Sequence, residues 1–133
     1  MEENRVILDT SAYSAFVRGN DAVRLSLAAA DEINLNPVII GELLAGFGSG
    51  TNEKKNKEIL SAFLISSRVR VIEINEDTSE RYAVIFRSLK KKGTPVPSND
   101  LWIAASAMQH GLKVVTTDNH FLKIDLVLTE FCG

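Results

Sequence analysis

The stretch VILDTSA, Val6 to Ala12, runs three branched apolar residues into a carboxylate and then into two hydroxyls. Val6-Ile7-Leu8 has the composition of a strand buried on both faces, as strands of parallel sheets are. Asp9 falls where that strand emerges, and a helix is expected from about Ser11 to Arg18. Asp9 therefore carries two readings: a strand-to-helix cap, or the first piece of a site.

The same alternation continues along the chain. A second helix is expected from about Asp21 to Ala30, and EINL (Glu32 to Leu35) reads as a second strand. Asn36 offers an N-cap with Pro37 at the first helical position. The helix it opens places Ile40, Leu43, Leu44 and Phe47 at core spacing. GSGTN (Gly48 to Asn52) breaks the chain before a helix from about Glu53 to Ser66. RVRVIEI (Arg68 to Ile74) reads as a third strand. Asp77 and Glu80, three apart before an apolar-periodic run, look like a capping box. A further helix spans about Ser98 to His110 and closes on Gly111. KVVTT (Lys113 to Thr117) and LVLTEF (Leu126 to Phe131) complete five strands. Strands spaced by helices imply right-handed crossovers and a three-layer α/β sandwich with a mainly parallel central sheet.

At 133 residues, with no linker, repeat or low-complexity segment, the chain reads as a single domain over 1–133. A hydrophobic fraction of 45% and a charged fraction of 24% exclude disorder as the default. No run approaches a membrane span or a secretory signal. The single cysteine, Cys132, cannot form an internal disulfide, so the expected compartment is a reducing cytoplasm. The net charge of −2 does not exclude a nucleic-acid partner. Lys54, Lys55 and Lys57 form one basic cluster and Arg87, Lys90, Lys91 and Lys92 another, and cations bound to the acids would reverse the sign.

In open parallel sheets, sites form beyond the carboxyl ends of the strands. Asp9 follows VIL and Asp118 follows VVTT. Asp100, in SNDLWIAA, and Glu42, in PVIIGELLAG, fall in or near first turns of helices on the same edge. Each has a bland reading taken alone. Asp100 gains from the helix dipole, Asp118-Asn119 suits a turn, and Glu42 could face water despite its apolar neighbours. Together, four carboxylates on one edge must take up protons or bind cations, since each pair about 6 Å apart repels by roughly 3 kcal/mol at an effective dielectric near 20. Oxygen-only ligands suit Mg²⁺ or Mn²⁺ rather than zinc, and such clusters serve phosphate chemistry.

These residues carry a resemblance. Asp9 in LDTSA, Glu42 in GEL, Asp100 in NDLWIAASA and Asp118 in VVTTDNHF resemble the acidic quartet of the PIN domain, and more narrowly VapC-type ribonuclease toxins of toxin–antitoxin systems. DLWIAASA…HGLKVVTTD is the most specific segment, and the likeness spans about Ile7 to Leu128. The resemblance implies that Asp9, Glu42, Asp100 and Asp118 bind Mg²⁺ or Mn²⁺ and that a metal-activated water attacks an RNA phosphodiester. It implies supporting roles around the metal site for Ser11 and Thr117, and weaker ones for Asn99 and Asn119. It also implies a homodimer and a small antitoxin partner. A housekeeping RNA-processing PIN nuclease, or a PIN-like domain that binds without cutting, stays open at this point.

Other motifs yield less. GFGSGT (Gly46 to Thr51) follows a helix and lacks phosphate-loop spacing. His110 and His120 read as structural, and Trp102, two residues past Asp100, reads as core or dimer packing. A haloacid-dehalogenase-like phosphatase needs an acid where Ser11 stands. A receiver domain needs one where Asn75 stands.

Overall fold

The computed structural model describes residues 3–133, so the first two residues of the expected 1–133 domain lie outside the described residues. Val6, Ile7 and Leu8 are wholly buried in β1 (Arg5–Leu8), and Asp9 is the N-cap of α1 (Thr10–Val17). Then come α2 (Asp21–Ala28), β2 (Glu32–Leu35), α3 (Pro37–Gly48), α4 (Glu53–Ile65) and β3 (Val69–Val71). The second half comprises α5 (Glu76–Lys92), α6 (Ser98–His110), β4 (Lys113–Thr116), a 3₁₀ turn (Asn119–Lys123) and β5 (Thr129–Phe131).

The five strands form one sheet in the order β3-β2-β1-β4-β5, and every pairing is parallel. With right-handed crossovers, the steps β1 to β2 to β3 carry α1–α4 over one face. The return from β3 to β4 carries α5 and α6 over the other. The α/β sandwich expected from the sequence is the fold observed. Val114 and Val115 of β4 are as fully buried as their β1 neighbours Ile7 and Leu8. Tyr13 of α1 packs edge-on against Phe63 of α4 with centroids 5.2 Å apart. Trp102 packs on Tyr82 at 4.4 Å, which fits the packing role expected for it.

Several expected boundaries shift. The capping box of α5 is not Asp77 with Glu80: Asn75 is the N-cap, and it exchanges bonds with Thr78, whose backbone N–H it accepts and whose hydroxyl accepts its own N–H. The third strand spans three residues instead of Arg68 to Ile74. Its partner β2 ends at Leu35 to become the Asn36 cap of α3, so Glu73 and Ile74 have nothing to pair with. Arg68 instead turns its guanidinium onto the carbonyls of Leu27 and Ala30 at the end of α2. The fifth strand likewise begins at Thr129, because β4 starts at Lys113 and offers no partner to Leu126 and Val127. Gly111 takes φ +65° as the C-cap of α6, the left-handed conformation that glycine adopts at least cost.

Candidate active site

β1 and β4 lie side by side, yet the chain leaves β1 towards β2 on one side and leaves β4 towards β5 on the other. Such a switch point opens a crevice at the carboxyl ends of the two strands, and Asp9 and Asp118 stand there. Asp9 is 4% exposed. Its Oδ1 accepts the Ala12 N–H at 2.8 Å, the capping bond of α1. Its Oδ2 accepts the Thr116 hydroxyl at 2.7 Å, and the Ser11 hydroxyl lies within 2.9 Å of both oxygens. Three hydrogens thus serve about four lone-pair positions, and one position stays open.

Asp118 caps the 3₁₀ turn: its Oδ1 accepts the His120 N–H at 2.9 Å. Its own N–H donates to Thr116 Oγ1 at 2.9 Å, so one hydroxyl ties both aspartates. Asp100 is the third residue of α6, whose N-cap is Pro97 and makes no side-chain capping bond. Its Oδ2 lies 3.0 Å from His120 Nδ1, which in turn lies 3.2 Å from Asp118 Oδ1. Glu42, in the second turn of α3, is held from two sides. Thr10 donates to its Oε1 at 2.6 Å, and Asn99 Nδ2 donates to its Oε2 at 3.0 Å. α3 is set against α6 through Asn36, whose side chain caps Ile39 N–H and donates to Ser106 at 2.9 Å.

Burial pushes the Asp9 carboxyl above its ordinary range, the hydrogen bonds from Thr116, Ala12 and Ser11 pull it back, and the Asp118 charge adds to the rise. Burial also raises Asp100, against the contact with His120 and with help from Asp118 and Asp9. Carboxyls that are penalised as anions, yet prearranged with hydrogen bonds to the anionic form, are relieved by a nearby cation. Asp100, Asp118 and His120 each bring one donor atom to within 4.8 Å of the other two. This donor set fits a divalent ion.

The sequence of this site has relatives. The PIN domain family model matches residues 6–127. Ribonuclease VapC4 of Mycobacterium tuberculosis is 31% identical over 123 residues, covering 91% of this chain and 92% of that protein. The chain is a PIN-domain protein of the VapC ribonuclease family. Among solved structures it resembles FitAcB from Neisseria gonorrhoeae, with 28% identity, a TM-score of 0.77, and 96% of this chain and 97% of that one covered. It shares its fold with the DNA-bound VapBC of Salmonella typhimurium at a TM-score of 0.84 and 23% identity, over 98% and 99% of the two chains.

Within this PIN domain, the structure gathers Asp9, Asp100 and Asp118 around the β1/β4 crevice and brings Glu42 to the same side through Thr10 and Asn99, the neighbours of Asp9 and Asp100. Asp9 and Glu42 do not belong to the 4.8 Å cluster itself. Ser11 does contact Asp9 as expected. Thr117 does not: only its backbone N–H takes part, donating to Ser11 Oγ at 3.1 Å, and the hydroxyl on Asp9 belongs to Thr116. Asn99 holds Glu42, whereas Asn119 lies exposed. Sequence reasoning passed over Thr116 and Thr10, and read as structural the His120 whose ring lies between Asp100 and Asp118. The signal for His120 was its place two residues past Asp118 and directly before Phe121, which is fully buried. No described helix is long and apolar enough to cross a membrane.

Proposed function

We propose that this PIN domain is a divalent-metal-dependent endoribonuclease acting as the toxin of a toxin–antitoxin pair, with Asp9, Glu42, Asp100 and Asp118 as its catalytic acids. The observation that carries the reading is Asp9: a buried carboxyl at a sheet switch point, raised by burial and by the Asp118 charge, with a lone pair still open. When bound, Mg²⁺ or Mn²⁺ supplies positive charge to a phosphodiester and makes water nucleophilic at neutral pH. The chain's own residues hold and orient. Thr116 ties the Asp9 carboxylate to the Asp118 backbone N–H, and Thr10 with Asn99 fixes both oxygens of Glu42. Asp100 enters from the first turn of α6, where the helix dipole favours its anion.

The crevice is open, with the Asp118 and His120 side chains each 36% exposed. The roughly 400 Å³ apolar cavity lined by Phe86, Leu89, Val96 and Leu101 contains no acid of the site. An open acidic edge suits a polymer backbone better than an enclosed small molecule. The relatives named ribonucleases support an RNA substrate in this reading, and the likeness to VapBC-5 of Mycobacterium tuberculosis, a member of a family of toxin–antitoxin systems, supports an antitoxin partner. A homodimer is proposed on family grounds.

Purified protein should cut structured RNA with added Mg²⁺ or Mn²⁺, and EDTA, Asp9→Asn or Asp100→Asn should abolish cutting. Undiminished cutting by both variants would sink the assignment of the site. Expression should arrest growth and be rescued by a small protein encoded beside it. Harmless expression of active enzyme would instead favour an RNA-processing nuclease.

A further inference from the structure

His120 stands apart from the acids, and its geometry is unlike that of a simple hydrogen-bonded histidine. A single Nδ1 is 3.0 Å from Asp100 Oδ2 and 3.2 Å from Asp118 Oδ1. One ring nitrogen carries one hydrogen at most, so it can satisfy only one of these two oxygens at a time. Two carboxylate oxygens and a nitrogen can all be satisfied by one shared cation. In an octahedral shell with metal–ligand distances near 2.1 Å, adjacent ligand atoms lie about 3.0 Å apart, close to the two edges that meet at His120 Nδ1, and the two carboxylate oxygens lie within 4.8 Å of each other. The backbone places the ring: His120 N–H is bonded to Asp118 Oδ1 at 2.9 Å, and Phe121 and Ile124 anchor the 3₁₀ turn in the core. The position is built by the fold rather than sampled by a loose surface side chain.

We propose that His120 is a nitrogen ligand to the divalent ion held by Asp100 and Asp118, and that it biases this site towards Mn²⁺-class transition ions over Mg²⁺. The proposal rests on the metal-site reading above. Mg²⁺ takes oxygen ligands, whereas imidazole nitrogen strengthens binding of first-row transition ions. An acidic quartet alone makes no such distinction.

The test is pulsed electron paramagnetic resonance on the tag-free, metal-stripped full chain loaded with substoichiometric Mn²⁺, which reads ¹⁴N coupling from a bonded imidazole. The chain has two histidines, so His110→Gln and His120→Gln assign any signal. The coupling is expected in the parent chain and in His110→Gln, and should vanish in His120→Gln and in His120→Asn. Calorimetry should show Mn²⁺ affinity falling by about tenfold or more in His120→Gln, with Mg²⁺ affinity changing far less. The second variant guards against misfolding of the first, and circular dichroism checks both. Mn²⁺ bound without nitrogen coupling, or coupling that persists in both His120 variants, overturns the inference while the carboxylate site stands. No Mn²⁺ binding to the parent chain overturns both.

Discussion

Thr116 offers a sharp test of how the site is held. It is fully buried, donates to Asp9 Oδ2 at 2.7 Å and accepts from Asp118 N–H at 2.9 Å. Thr116→Val keeps the shape and removes both bonds. A hydrogen bond to a charged acceptor is worth about 1.5–3 kcal/mol, and a stranded N–H adds about 1 kcal/mol or more. The expected loss is therefore about 2–4 kcal/mol in total, which would move a urea midpoint by roughly 1–2 M at an m-value near 2 kcal/mol/M. Thr116→Ser, which retains the hydroxyl, should lose less than half as much. Thr117→Val should stay within about 0.5 kcal/mol, because only the backbone of Thr117 bonds within the site. The cost of Thr116→Val should also narrow as pH falls, since protonating Asp9 turns a charge-assisted acceptor into a neutral one. Equal midpoints for the Val variants at 116 and 117, or a cost that is flat in pH, would refute the reasoning.

Asp9→Asn should raise the melting temperature of the metal-free protein at pH 7 while abolishing RNA cutting. A carboxyl with a raised folded-state value favours folding most below its unfolded value of 3.8 and loses that contribution as pH rises through the folded value, so the gap between variant and parent should close in acid. Added Mn²⁺ should raise the melting temperature of the parent more than that of the variant in differential scanning fluorimetry. Glu130 behaves oppositely. Lys113, 2.7 Å away, holds it below the ordinary carboxylate range, so the pair stabilises above pH 4.5 and the benefit fades as pH falls. Lys113→Met should cost no more than about 1 kcal/mol at pH 7, given that both side chains are a third exposed, and nothing near pH 2 by urea titration. Gly111→Ala should cost about 1–2 kcal/mol from its positive φ alone, since an added Cβ would meet no neighbour; no change in the midpoint would show that the α6 cap relaxes instead.

The shared edge of the candidate acids was legible from neighbouring residues, because Asp9 and Asp118 sit where strand patterns end and Glu42 breaks an apolar helical run. Asp9 follows VIL, Asp118 follows VVTT, and Glu42 interrupts an apolar helix face. The hydroxyl of Thr116 was not legible, because its role depends on register. β1 and β4 pair Leu8 with Val115, which sets Asp9 against Thr116 and turns Thr117 away. No local pattern carries a pairing between strands more than a hundred residues apart. The over-long third and fifth strands have a related cause. Their β-type composition extends further than the strands beside them, and an edge strand ends where its partner does. His120 escaped for a third reason: only the 3₁₀ turn after Asp118 aims its ring back at Asp100.

Asp9 and Asp118 also show why a bland reading and a functional one need not compete. Both are caps, Asp9 for α1 through Ala12 and Asp118 for the 3₁₀ turn through His120. A capping carboxylate commits one oxygen to a backbone N–H and leaves lone pairs on both oxygens for other partners. The cap fixes the rotamer, so in the ion-binding role proposed for these residues the carboxylate is positioned by the local fold beforehand. The same burial that fixes it penalises its charge. Asparagine can cap as aspartate does, but it carries no charge, whereas alanine loses both properties. The two roles therefore separate in the difference between Asp9→Asn and Asp9→Ala. Both should be inactive, but only the alanine variant should lose the α1 cap, at a further cost of about 1 kcal/mol.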